Sequence, residues 1–140
     1  MTAIELKTKN YKESLRYLEN ALDILKTKAK KEGNYYQDAK YVRMACGTAY
    51  SGVLIALDTF LKLKDSPIEK KKNQRKTVDD YREKLSNIDK KILNEYNSAY
   101  EILHLVGYYD GFTKFDVIKS GLNSAAEIIN KIKPQGSSGN

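Results

Sequence analysis

The sequence predicts an all-α fold, an up-and-down bundle of four to five helices, on three observations. Apolar residues recur at three- and four-residue intervals through successive stretches of the chain, the spacing that gathers side chains onto one stripe of a helix. Those stretches open on Asn, Ser or Thr placed three residues ahead of a Glu, Gln or Asp, the pattern that satisfies orphan amide donors at a helix start. No alternating run is bounded by turn residues, so no strand is expected, and there is no internal repeat.

Asn10 with Glu13 caps the first helix, Leu15, Leu18, Leu22, Leu25 and Ala29 form its stripe, and Gly33 ends it. Asn34 with Gln37 opens a second helix running to about Lys64. Its interior mixes the small residues Ala45, Gly47, Ala49, Gly52 and Ala56 with Val53, Leu54, Ile55, Leu57, Phe60 and Leu61. A helix apolar over most of its surface, with small residues that admit close neighbours, belongs at the centre of a bundle.

Asp65-Ser66-Pro67 stops that helix, because proline disfavours helical geometry in the residue before it. A lysine-rich loop over 70–76 follows. Thr77 with Asp80 restarts the helix near 78–86, and Ser86 with Asp89 caps again before a longer piece near 88–107. The two are read as one bent helix or two. The stripe Ile88, Ile92, Tyr96, Ala99, Leu103, Val106 supports the longer piece. Thr113 with Asp116 caps a last helix carrying Val117, Ile118, Leu122, Ala125, Ile129 and Ile132, which Pro134 closes. One domain over 1–133 and a flexible tail over 134–140 result.

At 140 residues, with 41% apolar and 31% charged side chains, the chain is large enough to bury one core without disulfide or metal. The single cysteine, Cys46, has no partner for an internal bridge, and a reducing, cytoplasmic setting is the expectation. The longest strongly apolar run, Val53 to Leu57, is far too short to span a bilayer. The net charge of +7 is concentrated at residues 62–76, leaving little basic excess elsewhere. That is a weaker pointer to nucleic acid than a basic face across a whole domain.

Chemistry has few places to reside. His104 is the only histidine, so any nucleophile–histidine arrangement must run through it. Its apolar setting, YEILHLVGYY, fits a packed helix C-terminus better than a catalytic role. Cys46 lies between Ala45 and Gly47, where a thiol behaves as a small apolar group. The dispersed carboxylates give no metal-ligand spacing, and no glycine-rich phosphate loop is present. No catalytic residue, cofactor or metal is therefore expected.

Two surfaces stand out instead. Lys70, Lys71, Lys72, Arg75 and Lys76 form a candidate phosphate-binding loop, with Lys7, Lys9, Lys12, Lys131 and Lys133 expected at the same end. It lacks interleaved aromatic residues for base stacking. Tyr35, Tyr36 and Tyr41 start the second helix while His104, Tyr108, Tyr109 and Asp110 close the fourth. An up-and-down bundle brings these groups together, opposite the lysine loop, as a candidate interaction surface.

The C-terminal stretch YEILHLVGYYDGFTKFDVIKSGLNSAAEIINKI resembles the closing part of HEPN domains (higher eukaryotes and prokaryotes nucleotide-binding), with Tyr108-Tyr109-Asp110 where many of them carry an Arg-Tyr-Pro-Asp turn. YVRMACGTAYSGVLIALDTFL is similar to their long second helix, and the whole chain resembles a small uncharacterised bacterial helical family of that architecture. The resemblance implies the HEPN-like fold, a homodimer, and association with nucleotide-handling or toxin-antitoxin systems. Ribonuclease members place an arginine a few residues ahead of a histidine; here the nearest upstream arginine is Arg82, so the resemblance does not extend to the nuclease motif. The expectation is a non-catalytic binding protein, a homodimer or the partner of another protein, with no membrane contact. The alternative is a nucleic-acid or nucleotide binder using the lysine loop, with residual nuclease activity through His104.

Overall fold

The computed structural model describes residues 1–136. Of the tail expected over 134–140, residues 137–140 lie outside the described residues. The described residues are mostly helical, with five helices and a two-stranded hairpin. Helix α1 (Ala3–Ile24) begins seven residues before the expected Asn10 cap. AIELKTK is built largely of good helix formers, so the helix propagates back to Thr2, whose hydroxyl accepts the Glu5 amide at 3.1 Å. Asn10, inside α1, donates instead to Thr59 Oγ1 at 2.9 Å. The buried stripe is Ser14, Leu18, Ala21, Leu25 and Ala29; Leu22, expected on it, faces out at 45% exposure.

The last turn, Leu25–Ala29, widens to a π-turn closed by the Lys30 amide on the Leu25 carbonyl at 3.0 Å. The expectation of no strand fails next. Strands β1 (Lys31–Glu32) and β2 (Tyr35–Tyr36) pair antiparallel around Gly33, whose φ of 61° carries no Cβ penalty. A distant segment holds the hairpin: the Tyr36 amide donates to the Thr113 carbonyl and the Phe115 amide to the Asn34 carbonyl, each at 2.8 Å. Asn34 and Gln37 therefore do not cap α2 (Ala39–Leu63); Asp38 does, accepting from the Lys40 amide.

The Thr77–Asp80 box is formed as expected, with reciprocal bonds of 2.7 and 3.2 Å at the start of α3 (Val78–Ile88). Ser86 lies inside α3 and donates back to the Glu83 carbonyl, so it is no cap. Asp89 takes that role in extended geometry and accepts the Ile92 amide at 3.1 Å, which separates α3 from α4 (Lys90–Ala99) as two helices. α4 continues into a π-helical segment, Tyr100–Tyr109, rather than as regular α-helix to 107. The expected Thr113–Asp116 cap does not form: the N-cap position of α5 (Phe115–Asn130) falls on Lys114, which makes no side-chain cap, and Thr113 is held in the hairpin through its carbonyl.

α2 is the spine. Val42, Ala45, Cys46, Ala49, Val53, Ala56, Leu57 and Leu61 are fully buried. It is long and apolar enough to cross a membrane, with mean hydropathy 1.4 over its best window, but 61% of that window is buried inside the bundle. Neighbours approach its small residues closely: a Cβ on Gly52 would stand 3.0 Å from the Ser14 carbonyl oxygen. A Cβ on Gly107 would lie 2.7 Å from Cys46 Cβ and nearer still to its Sγ.

Gly107→Ala therefore sets a helix-propensity gain of roughly 1 kcal/mol against an overpacking cost of about 1–3 kcal/mol. Cys46 is a short side chain, fully buried, whose Cβ is fixed by the α2 backbone and cannot swing aside, so the clash wins. Urea unfolding should show a net loss of roughly 1–2 kcal/mol that Cys46→Gly partly reverses in the double variant, a non-additivity expected of touching residues. Additive losses would place the strain elsewhere.

Candidate functional site

Tyr96, Tyr100, His104 and Tyr108 recur every fourth residue. In an α-helix of 3.6 residues per turn, a residue four ahead overshoots a full turn; in the wider π-turn it falls short. The change from α to π at Tyr100 therefore reverses the drift and keeps all four rings on one face. His104 is the hub. Its ring lies 5.4 Å from Tyr100 and 5.9 Å from Tyr108, stacked on both, and 5.2 Å edge-on from Tyr109.

Two further tyrosines extend the array. Tyr50 from α2 lies 5.0 Å from His104 by ring centroids, and its hydroxyl meets that of Tyr96 at 3.0 Å. Tyr81 from α3 packs 5.5 Å from Tyr96 and donates to Asp58 Oδ1 at 2.8 Å. Burial pushes the phenols of Tyr50, Tyr81 and Tyr96 upward, so they remain hydrogen-bonding hydroxyls at neutral pH. Arg82 donates to Asn97 at 2.8 Å and spreads over the Tyr100 ring at 5.4 Å, on the ring next to His104.

Beside this array runs an open groove of about 520 Å³. Tyr17, Met44, His104 and Tyr108 make its walls, and Gly47, Thr48 and Ser51 its floor. The Thr48 and Ser51 hydroxyls donate to the Met44 and Gly47 carbonyls, so they offer lone pairs to an occupant. Arg43 fastens one end, donating to the carbonyls of Tyr108 and Tyr109, packed against Gly111, whose φ is 65°.

The expected surface is therefore assembled in part. His104, Tyr108 and Tyr109 touch by their rings, and Asp110 closes the π-helix with its amide on the Leu105 carbonyl. Tyr35, Tyr36 and Tyr41 share that end of the fold through the hairpin but make no ring contact with them. Tyr36 is buried against Phe115 at 5.8 Å, Tyr35 is exposed beside Lys114, and Tyr41 lies under the Lys40 amine. Sequence reasoning missed Tyr17, Met44, Tyr50 and Tyr100; the four-residue spacing from Tyr96 to Tyr108 carried a signal for Tyr100 alone.

The lysine loop is partly compensated. Lys70 pairs with Asp80 at 2.9 Å and Lys76 with Asp58 at 3.1 Å, while Lys131 pairs with Asp89 at 3.3 Å. Lys71, Lys72 and Arg75 are exposed and, among the described residues, form no ion pair. Burial raises the Cys46 thiol to about 12, which keeps it protonated and unreactive. Among the described residues no group of three or more His, Cys, Asp or Glu side chains is placed to hold a metal ion.

The sequence pattern of a family described as a domain of unknown function (DUF5618) matches residues 9–134. A solved protein of unknown function from Dyadobacter fermentans is 46% identical, superposes with a TM-score of 0.80, and the match covers 94% of this chain and 97% of that one. No curated protein matches the chain.

Burial among the rings holds the His104 imidazole below its ordinary 6.5. The unfolded chain then binds the extra proton first, so stability is full above about 6.5, falls as the pH drops through it, and levels off below the folded value. His104→Gln should flatten that step in urea midpoints measured from pH 8 to pH 5. Superimposable profiles for the two proteins would contradict the assignment.

Proposed function

The chain belongs to the DUF5618 family, and we propose that it is a non-catalytic module that acts by binding, self-associating as a homodimer through its tyrosine and histidine face. One observation carries this reading: large apolar side chains stand exposed around the groove, with Met44 at 48%, Tyr108 at 45% and Tyr109 at 60%, and Leu105 and Phe112 open nearby. Tyrosine and methionine are the residue types enriched at the desolvated centre of interfaces. The non-catalytic reading is supported by the buried, protonated thiol and by the Thr48 and Ser51 hydroxyls, which donate to the Met44 and Gly47 carbonyls rather than to His104.

An HEPN-like architecture forms part of the proposal. It is supported by the element order, a long central α2, then α4 with its π-helical extension closing on Tyr108-Tyr109-Asp110, then the alanine-containing α5. The unpaired Cys46 supports a reducing, cytoplasmic setting. Sedimentation equilibrium should find a dimer that Met44→Lys with Tyr109→Glu converts to a monomer without lowering the melting temperature. A wild-type chain that stays monomeric at high concentration would remove the self-association.

A second reading is favoured by Lys71, Lys72 and Arg75, which are exposed in the loop and have no carboxylate partner among the described residues. They suit a nucleic-acid or nucleotide binder of toxin-antitoxin type, with Arg82 and His104 flanking Tyr100 as the place for residual nuclease activity. Phosphate-driven binding weakens steeply with salt, whereas contacts between aromatic faces do not. Titration with mixed RNA at two salt concentrations should show no binding that depends on Lys71, Lys72 and Arg75. Salt-sensitive binding lost in their triple alanine variant would establish this second reading over the first.

A further inference from the structure

A second groove, of about 390 Å³, lies where the end of α1, the hairpin and the start of α5 meet, on Leu22, Leu25, Tyr36 and Phe115. Its floor is recessed, because Leu25 and Tyr36 are buried, while Leu22 is exposed. Lysines surround it. Lys26 and Lys31 line it, and the amines of Lys31 and Lys119 stand over the same Phe115 ring, at 4.1 and 5.7 Å from its centroid. Among the described residues none of these three is in an ion pair, unlike Lys70, Lys76 and Lys131. Glu32, the nearby acid of β1, accepts instead from the side-chain Nε2 of Gln37 at 2.8 Å.

We infer that this groove docks an acidic protein segment that inserts a large apolar side chain against Leu25, Tyr36 and Phe115 while its carboxylates meet Lys26, Lys31 and Lys119. The charge complementarity fixes the sign of the occupant, since the ring of ammonium groups repels a basic segment and lacks internal anions. The concavity fixes its kind. A lipid surface is entered by apolar side chains that protrude, and here Leu25 and Tyr36 are recessed with only Leu22 open at the edge; a polynucleotide would use the lysines and leave the apolar floor empty. An apolar anchor in a pocket with a charged rim is the arrangement of a protein contact.

The test uses a short dye-labelled peptide of glutamates around a central Leu-Phe pair, followed by fluorescence anisotropy on the full chain. Saturable binding is expected. It should weaken about tenfold in Lys31→Glu with Lys119→Glu, and in Leu22→Asn even at raised salt, with both variants melting like the wild type. An all-glutamate peptide without the Leu-Phe pair should bind much more weakly. Equal binding of the two peptides, or no effect of the lysine reversals, would overturn the inference. So would vesicles of phosphatidylserine and phosphatidylcholine, or mixed RNA, binding through these lysines while the peptide does not.

Discussion

The close approach of neighbouring backbones to the small residues of α2 is the constraint on which the rest depends. A central helix with bulky side chains on every face would hold α1 and the π-helical segment at ordinary helix spacing. Here Gly52 admits the Ser14 and Tyr17 region of α1, and Cys46 is met by Gly107 across the other face. Each contact replaces solvent by protein atoms at van der Waals range, where interiors gain dispersion and exclude water. The same approach brings Tyr50, on α2, within ring contact of His104 and Tyr100.

Fold and site are therefore coupled through one segment. From Tyr100 to Tyr109 the backbone closes wider turns than an α-helix, a costly form that persists where tertiary contacts over-determine it. Three such contacts are visible: Gly107 against Cys46, Gly121 of α5 against Ile102, and Arg43 on the carbonyls of Tyr108 and Tyr109. Their joint effect is to turn His104 and Tyr108 toward α2 and the groove, with Tyr109 outward. Were the segment α-helical, the same residues would spiral off the face that Tyr96 begins.

Much of the bundle was legible in the sequence because burial follows periodicity. The small-residue run of α2 and the stripe of α5 read directly, and the Thr77–Asp80 box formed where its spacing put it. Most of what failed shares one cause: a distant partner changed a local preference. Asn34 and Thr113 carry cap-like spacing, yet their carbonyls bind the amides of Phe115 and Tyr36, so a hairpin stands where helix starts were expected. Asn10 had the spacing of a cap but found Thr59 of α2. The π-turn was invisible for the same reason, since it answers to Cys46 and Arg43 rather than to its own residues. The aromatic array was legible as a spacing, but not its reach to Tyr50 and Tyr17 on other helices.

Counting charge along the chain assigned the basic character to residues 62–76, but what a partner meets is charge left uncompensated in space. In that loop Lys70 and Lys76 are drawn down onto Asp80 and Asp58, tying the loop to α3 and α2. The lysines around Phe115 sit over an aromatic face instead, and a ring quadrupole attracts a cation without neutralising it. A paired ammonium must break its ion pair before it can meet a new anion; one resting on a ring keeps its full charge for the approach. Lys71, Lys72 and Arg75 keep their charge in the loop as well, so the two clusters differ in setting more than in charge. The one divided in sequence between Lys26, Lys31 and Lys119 stands around a groove floored by the buried Leu25 and Tyr36, which gives an approaching carboxylate an apolar neighbour to bring with it.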